Sequence, residues 1–420
     1  MALLQTATSR LPAAFAEVAR APAQPPDAYW AYPEGGRRAA AFGAAEVRQG
    51  PSLRAVLASL ETPSGLPETM PGPWFGAAAF SGALGPEWHG FSPLRFTLPR
   101  LLAWSEGGRH FAAAFGEGAE KRLAAARRRL DGADGQAVNG ALPGNAATNG
   151  HAGRVRVVPR PEDRARWSAL VRRALEAISR GSLDKVVLAR AIDVEADGAL
   201  DPAALLRALE SRYPSCRAFL VRGEGGTFLG ATPEILCRVE GERIEADALA
   251  GSASPEEAQA LPDSQKDLRE HQWVIDHIVG ALQGVATDVH RASRPDLRAL
   301  ANVVHLHTPI RARLARGRGI ADVAAALHPT PAVGGVPAAA ALRFLAEHES
   351  LDRGLYAGVV GWVGAGRAEL LVALRSALVR GSRARIFAGA GVVSGSSPDA
   401  EWEETELKAR ALLDALGAAP

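Results

Sequence analysis

Two pairs of acidic residues have the spacing that places both carboxylates of a pair on one face of a helix. Asp267 and Glu270 lie three residues apart, and so do Glu401 and Glu404; side chains three apart on a helix are neighbours. If the two faces converge, four carboxylates surround one hard cation, and magnesium prefers oxygen ligands of this kind. The alternative is two ordinary solvated helix faces, one of them near a helix N-terminus that favours negative charge.

Lysine is rare in this chain. Lys121, Lys185, Lys266 and Lys408 are the only lysines among 48 basic residues, and the others are arginine. A desolvated lysine can lose its proton and serve as a base, which arginine cannot do. Lys185 begins an otherwise apolar strand, so burial would suit it to general-base catalysis; a strand-end lysine that reaches out to water is the alternative. Lys121 falls in an amphipathic stretch and is expected to be a solvated helix residue.

Three short segments of small residues could let backbone N–H groups approach an anion. Residues 230–234 place a carboxylate, Glu234, just after a turn between two strands. Residues 250–252 are expected in a loop, and residues 389–391 are expected to follow a strand. The sequence contains no P-loop, dinucleotide fingerprint or Gly-x-Ser-x-Gly turn. Glycine turns are common, so each segment alone is weak evidence for a site.

The elements that must position these residues are predicted from apolar periodicity and capping signals. Apolar residues spaced by three and four predict a helix over 167–178, and Asp201 with Pro202 predicts the start of another. Further helices are predicted at about 265–286, 320–327, 337–347 and 398–416, and strands at 74–80, 96–104, 185–192, 217–222, 226–231, 234–239, 355–363, 369–379 and 384–391. Successive strands with flanking helices predict a layered α+β core.

The composition is that of a globular protein of 420 residues, with 47% apolar and 22% charged residues. Residues 131–153 are rich in Gly, Ala and Asn, which predicts a flexible connection between an N-terminal part (1–130) and a catalytic part (154–420). Cys216 and Cys237 lie in no paired motif, so we expect two buried thiols and neither a disulfide framework nor a zinc site.

Charge and hydropathy exclude several classes of partner. The net charge is +2, and no basic patch alternates with aromatic residues, which argues against nucleic-acid binding. No apolar run has the length of a membrane span, and the first residues do not have the pattern of a secretory signal. A cytoplasmic location without membrane contact is therefore expected.

Ten segments, taken together, resemble the chorismate-utilising enzymes, which include isochorismate synthases, salicylate synthases and the large subunits of anthranilate and aminodeoxychorismate synthases. They follow the family's order over about residues 160–415: KVVLAR (185–190), GATPEIL (230–236), LAGSAS (249–254), KDLREH (266–271), VVHLHTPI (303–310), LHPTPAVGG (327–335), DRGLYAGVVGW (352–362), LRSA (374–377), AGAGVVSGSSP (388–398) and EWEETELK (401–408). The resemblance implies an α+β body of two facing lobes, with stacked, mostly antiparallel sheets, outer helices and an active site between the lobes.

The resemblance also implies roles for individual residues. Lys185 would be the general base and Glu234 the general acid. The acidic pairs would hold Mg²⁺, with Glu270 and Glu404 as ligands and Asp267 and Glu401 supporting through water. The expected substrate-binding residues are Ala250, Gly251 and Ser252 at the ring carboxylate, Tyr356, Arg375 and the Gly389 backbone at the pyruvyl carboxylate, His305 at the ring, and Lys408 near the metal.

Two positions resemble the isochorismate-forming branch, in which water adds to C2 of chorismate and the C4 hydroxyl leaves. Ala332 stands where the amine-inserting and salicylate-forming branches usually have Thr, and Lys185 matches the water-activating branches. The alternatives are a salicylate synthase, which goes on to eliminate pyruvate, and a non-catalytic acidic metal-binding scaffold. A monomer without a glutaminase partner is expected, and the product would serve menaquinone, siderophore or salicylate biosynthesis. His307 occupies a position that varies in the family and receives no role.

Overall fold

The computed structural model describes residues 2–6, 26–126, 154–300 and 303–418 of the chain. The strands are β1 (Ala2–Thr6), β2 (Ala28–Tyr32), β3 (Arg37–Arg48), β4 (Trp74–Ala78), β5 (Leu94–Glu106), β6 (Arg109–Ala114), β7 (Val155–Val157), β8 (Lys185–Ala196), β9 (Arg217–Gly223), β10 (Gly226–Thr232), β11 (Ile235–Glu240), β12 (Arg243–Ala253), β13 (Ala286–Arg291), β14 (Asp296–Ala299), β15 (Val304–Leu314), β16 (Gly335–Val336), β17 (Val359–Gly364), β18 (Arg367–Val372), β19 (Ser376–Arg380) and β20 (Arg383–Val393). The α-helices are α1 (Leu53–Ala58), α2 (Asp163–Ser179), α3 (Pro202–Arg212), α4 (Gln265–Gln283), α5 (Ile320–Leu327), α6 (Ala338–His348) and α7 (Pro398–Leu416), and residues 119–126 are also helical.

The strands form two series that meet at β5, because three other strands pair with it. β3 pairs along one edge of β5, whereas β4 and β6 pair with its beginning and its end. The first arm runs from β3 through β2, β9, β10, β19 and β20 to β8. The second arm runs from β4 through β17, β18, β11 and β12 to β15. Every pairing between the strands named here is antiparallel, and the α+β class predicted from the sequence is confirmed.

The largest apolar core contains side chains from both arms, among them Trp74, Phe96, Phe228 and Leu370. The core therefore lies between the arms. The N-terminal strands β2 to β6 join the arms, so the N-terminal part is built into the same sheet. The flexible connection predicted for 131–153 falls outside the described ranges, and the division of the chain there stays a prediction.

Two short segments lead the chain directly from a strand of one arm to a strand of the other. Residues 233–234 lead from β10 to β11, and residues 373–375 lead from β18 back to β19. The crossings are bonded to each other, since Ala231 N donates to Arg375 O and Val372 N donates to Glu234 O, both at 3.2 Å. Arg375 has a φ of 48°, a left-handed conformation that costs a non-glycine residue about 1–3 kcal/mol.

The two helices that carry the acidic pairs lie on different arms. Helix α4 packs on β12 and α7 packs on β20. Each begins at a serine whose side chain accepts a backbone N–H: Ser264 from Asp267 N and Ser397 from Ala400 N. Their apolar faces are buried, and their N-terminal turns bring the carboxylates toward the junction between the arms.

Most predicted elements are confirmed, and four predictions are corrected. The strand predicted at 369–379 is two strands, because the left-handed turn at Arg375 interrupts an unbroken apolar run. Residues 355–358 form a turn, so the strand predicted at 355–363 begins only at Val359. Residues 250–252 lie in β12 rather than in a loop, with a bulge at Gly251 where φ is 75°. Residues 389–391 lie within β20 rather than after a strand.

Two smaller expectations are confirmed. Cys216 and Cys237 are both buried and carry free thiols, and Lys121 is an exposed residue of a helical stretch. Among the helices that the structure describes, none is long and apolar enough to cross a membrane.

Candidate active site

A cavity lies at the junction of the two arms, next to both crossings of the chain. Its wall includes β8 and β20 of the first arm, β12 and β15 of the second, and the turn around Arg375. Eleven of the fifteen predicted site residues line it: Glu234, Ala250, Gly251, Ser252, Glu270, His305, Ala332, Tyr356, Arg375, Gly389 and Lys408. Lys185, Asp267, Glu401 and Glu404 do not line it, although Lys185 and Glu404 contact residues that do.

Lys185 is completely buried at the start of β8 and forms an ion pair with Glu270. Its Nζ lies 2.8 Å from Glu270 Oε1. Burial raises the pKa of Glu270, but the nearby lysines, Lys185 above all, outweigh burial and hold that pKa below its usual value. Gly391 makes room for the pair, since a Cβ there would lie 2.6 Å from Glu270 Oε1 and 3.1 Å from Lys185 Cε. The predicted base is thus held in a buried pair that touches the cavity through Glu270.

Glu234 lies on the crossing between β10 and β11 with 3% of its surface exposed. Burial, reinforced by the charge of Asp247, raises the pKa of Glu234 to about 8. Its backbone N–H donates to Thr232 Oγ1 at 3.2 Å, and Thr232 in turn donates to Val372 O at 2.7 Å. Glu234 is therefore a rigidly placed carboxylic acid that is largely protonated at neutral pH, the state that a proton donor needs.

Asp247, whose charge acts on Glu234, was not identified from the sequence. Its Oδ1 lies 3.0 Å from His307 Nε2 and its Oδ2 lies 3.2 Å from Arg298 Nη1. Burial raises the pKa of Asp247, but the bonds to His307 and Arg298 outweigh burial and lower it. Asp247 thus stays ionised inside the protein. The sequence offered no signal for this group, because its members meet only through the pairing of β12 and of β14 with β15.

Arg375 and His305 form a fixed hydrogen-bonded chain on the cavity wall. Arg375 Nη2 lies 3.1 Å from His305 Nε2. Arginine can only donate, so Nε2 must be the acceptor and Nδ1 carries the ring hydrogen. Nδ1 lies 2.9 Å from Ser252 Oγ and 3.3 Å from Gly251 O. Burial, with the charges of Arg375 and Lys408, lowers the pKa of His305 well below its usual value, which keeps the ring neutral.

The guanidinium of Arg375 keeps donors for a ligand. Besides the bond to His305, it makes one long contact, from Nη1 to Lys408 O at 3.5 Å. Arginine has five N–H groups in a planar fork, which suits a carboxylate. The position of Arg375 on the cavity wall therefore fits an acidic ligand.

Tyr356 lies beside Arg375 and is held by aromatic stacking. Its ring stacks on Phe387 at 5.3 Å, and Trp88 of the N-terminal part stacks on Phe387 at 5.6 Å. Burial raises the pKa of Tyr356 to about 12, so its hydroxyl remains a neutral donor. A Cβ at Gly389 would lie 2.9 Å from that hydroxyl, which explains the glycine.

The four predicted metal-binding carboxylates lie on the facing turns of α4 and α7, and each has a protein partner. Glu270 pairs with Lys185 at 2.8 Å, Glu401 pairs with Lys266 at 3.1 Å, Glu404 pairs with Lys408, and Asp267 bonds to Ser264. Within the described ranges, no three acidic, histidine or cysteine side chains converge as a ligand group. A cation would have to replace lysines as the partner of these carboxylates.

Glu401 shows that this acidic cluster is not satisfied by the protein alone. Its Oε2 is buried, and the described residues provide it with no hydrogen-bond partner. Burial and the neighbouring charge of Glu404 raise the pKa of Glu401 to about 7. A buried carboxylate oxygen without a partner, on the facing helix turns that carry the other three carboxylates, is donor chemistry that fits a hard cation and its bound water.

Fold and site together define a cavity between two antiparallel arms that offers arginine donors to a carboxylate and lies beside a buried acid and a carboxylate cluster. The chain belongs to the chorismate binding enzyme family, whose sequence model matches residues 7–417.

Named relatives agree with this assignment. The chain is 42% identical over 266 residues to the salicylate biosynthesis isochorismate synthase of Pseudomonas aeruginosa, a match that covers 61% of this chain and 56% of that protein. It is 37% identical over 261 residues to the isochorismate synthase EntC of Escherichia coli K12, covering 60% of this chain and 67% of that protein. The solved structure of the menaquinone-specific isochorismate synthase MenF of Escherichia coli superimposes with a TM-score of 0.78 at 27% identity, covering 99% and 94% of the two chains.

Proposed function

We propose that this protein is an isochorismate synthase, which converts chorismate into isochorismate with the help of Mg²⁺. One observation carries the proposal: Glu234, a buried acid with a pKa of about 8, shares a cavity with Arg375, whose guanidinium keeps donors for a carboxylate. Chorismate is a dicarboxylate whose C4 hydroxyl must be protonated in order to leave. The names of the relatives support the same reaction.

Glu270 and Glu404 are the proposed ligands of Mg²⁺, with Asp267 and Glu401 acting through water, and the ion would supply positive charge for the ring carboxylate of the substrate. Ala250, Gly251 and Ser252 line the cavity close to this cluster, since Gly251 packs against Asp267. To bind a cation, Glu270 must exchange its present partner, Lys185. That exchange would leave the Lys185 amine without its carboxylate partner.

The proton transfers are then assigned to two residues. Lys185, as a neutral amine, takes a proton from the water that attacks C2. The ring double bonds shift, and Glu234 gives its proton to the C4 hydroxyl, which leaves as water. Tyr356, Arg375 and the Gly389 backbone hold the pyruvyl carboxylate meanwhile. One water enters and one leaves, so chorismate and isochorismate are isomers and the reaction runs in both directions.

Ala332 supports release of isochorismate without further reaction. It lines the cavity beside Val333, and neither side chain offers a hydroxyl to hold the enolpyruvyl group for elimination. The cytoplasmic location, the monomeric state and the lack of a glutaminase partner stay predictions, as does the pathway that uses the product.

Incubation of the purified protein with chorismate and MgCl₂, followed by chromatography and a coupled pyruvate assay, tests the proposal. We expect the same mixture of the two isomers from either starting compound. Stoichiometric pyruvate and salicylate would indicate a salicylate synthase instead. Anthranilate formed from added ammonium would indicate the amine-inserting branch. Unchanged chorismate would indicate a non-catalytic metal-binding scaffold.

Removal of the metal tests the carboxylate cluster separately. With excess chelator we expect turnover to cease, because the ring carboxylate would then lack the cation proposed to hold it beside these acidic side chains, and added Mg²⁺ should restore it. Full activity in chelator would contradict the proposed metal site.

A further inference from the structure

Arg353 lines the same cavity as Arg375, but its guanidinium is already occupied by the protein. Nε donates to Glu349 Oε1 at 2.5 Å, and Nη2 donates to Glu349 Oε2 at 2.8 Å. Nη2 also donates to Val187 O at 2.6 Å, and Nη1 donates to Val333 O at 2.8 Å. Four of its five N–H groups are thus engaged, so Arg353 is poorly suited to take a substrate carboxylate.

These bonds replace a missing stretch of sheet beside β8. β20 covers one edge of β8 along most of its length, whereas β16 covers the other edge only at Lys185 and Val186. Beyond that point, Val187 O accepts from Arg353, and Ala189 N donates to Glu349 Oε2 at 2.8 Å. Buried backbone groups without partners are costly, and here a pair of side chains satisfies them where none of the described strands does.

The pair joins two walls of the cavity. Val187 lies two residues after Lys185 on β8 and lines the cavity, and Val333 lies next to Ala332 on the opposite segment and also lines it. Arg353 bonds to the backbone oxygens of both valines. The guanidinium thus ties the Lys185 strand to the segment at 332–333, in addition to the direct backbone bond from Val187 N to Gly334 O at 2.8 Å.

We propose that Glu349 and Arg353 form a positioning pair, which fixes the strand of Lys185 relative to the segment of Ala332 and thereby places Lys185 for proton transfer. The inference rests on the proposed function, because it concerns the geometry of that reaction. Neither residue is assigned a contact with substrate. Small errors of placement reduce rates steeply, with about 1 Å costing on the order of 10²-fold.

A second buried pair provides a matched control. Arg217, 6% exposed, lies 3.4 Å from Glu369, which is completely buried and also bonded to Arg238 and Trp30. Arg353 is 4% exposed, so the two arginines are alike in burial and in type of partner. Arg217 does not line the cavity. Arginine-to-lysine substitution keeps the charge and removes the planar fork at either site.

The experiment compares Arg353→Lys with Arg217→Lys by thermal unfolding and by steady-state kinetics with chorismate. We expect both variants to lose some thermal stability. Arg353→Lys should lose roughly 10- to 100-fold in kcat with a much smaller change in KM, because Arg375 and Tyr356 are untouched, while Arg217→Lys should stay within about twofold of wild-type kcat. Glu349→Gln, which keeps the size of the side chain, should repeat the loss of kcat.

The results of this experiment distinguish failure of the positioning role from failure of the proposed function. A normal kcat in Arg353→Lys or Glu349→Gln, with wild-type enzyme active, overturns the positioning role alone. Equal loss of kcat in the Arg217 control overturns it as well, because the effect would then follow from stability. If both variants at the pair fail to fold, the pair serves folding rather than placement. Wild-type protein without turnover overturns the proposed function and this inference with it.

Discussion

Two sets of side chains at the cavity differ in the tasks proposed for them. The proton-transfer set is Glu234 on the cavity wall and Lys185 just behind it, and the binding set is His305, Tyr356 and Arg375. Glu234 has a pKa of about 8, so its charge changes in the range where enzymes work. In the binding set His305 stays neutral because its pKa is far below its usual value, and Tyr356 stays neutral because its pKa is about 12.

This difference shows how one buried cavity can combine chemistry with recognition. Burial disfavours charge in both sets. In the proton-transfer set burial keeps Glu234 protonated, as its proposed role of proton donor requires. In the binding set burial and hydrogen bonds remove titration altogether, so the donors for a carboxylate do not change with pH. Changes in the first set should therefore affect kcat and its pH dependence, and changes in the second should affect KM.

Glu234→Gln should have the largest effect. Glutamine keeps the shape but cannot donate a proton to the leaving hydroxyl, so we expect kcat to fall by about 10²- to 10⁴-fold, the usual range for loss of a general acid. KM should change much less. Glu210→Gln is the matched control, since Glu210 is 9% exposed, pairs with Arg38 and does not line the cavity. Comparable losses in both variants would contradict the role of Glu234.

Arg375→Lys should have the second-largest effect, and this effect should fall on substrate binding rather than on proton transfer. Loss of the planar fork should lower kcat/KM by roughly 10- to 100-fold, mainly through KM. The loss should be the same at pH 6.5 and pH 8.5, because no group of the binding set titrates in between. A loss confined to kcat would place Arg375 in the proton-transfer set and remove the distinction between the sets.

The pH profile of the wild-type enzyme should show a smaller, graded effect. Glu234 donates only when protonated, so kcat/KM should be maintained below a pH of about 8 and should fall about tenfold per unit above it. A rate that stays constant up to pH 10 would show that Glu234 is not the donor.

The same pKa has a consequence for stability, with the opposite sign from the usual carboxylate. The pKa of Glu234 is higher in the folded protein than in the unfolded chain. Its contribution to the free energy of unfolding is therefore fully present below the unfolded pKa and is lost as pH rises through about 8. Glu234→Gln should therefore raise the Tm relative to wild type at pH 8, and the difference should shrink toward pH 4.5. An unchanged difference between these two pH values would contradict the raised pKa.

Much of the framework was predictable from the sequence, because the signals were local. Helices α4 and α7 follow from apolar spacing and from serine caps at Ser264 and Ser397. The turn at Arg375 was missed because a left-handed arginine has no sequence signature within an apolar run. The strand β12 was missed because its pairing with β15 decides it, and residues far apart in sequence supply that pairing.

Residues of the candidate site could be predicted where they lie in a segment that resembles the family. Contacts between distant segments could not be predicted. Arg353 lies inside the segment DRGLYAGVVGW, yet its bonds to Val187 and Val333 depend on where three distant segments meet. The ion pair of Lys185 with Glu270 joins β8 to α4 and was equally hidden. The spacing of residues along one helix or strand predicts which side chains share a face of that element. It does not predict which other element packs against that face.

Oxygen-18 water tests the central claim most directly, namely that Lys185 and Glu234 serve the addition of water and the departure of the C4 hydroxyl. Chorismate converted in H₂¹⁸O during the first turnovers should yield isochorismate with one ¹⁸O in its ring hydroxyl, measured by mass spectrometry. Glu234→Gln should slow this labelling in proportion to its kcat. Isochorismate that forms without label would mean that the hydroxyl moves within the substrate, and would contradict the roles assigned to both residues.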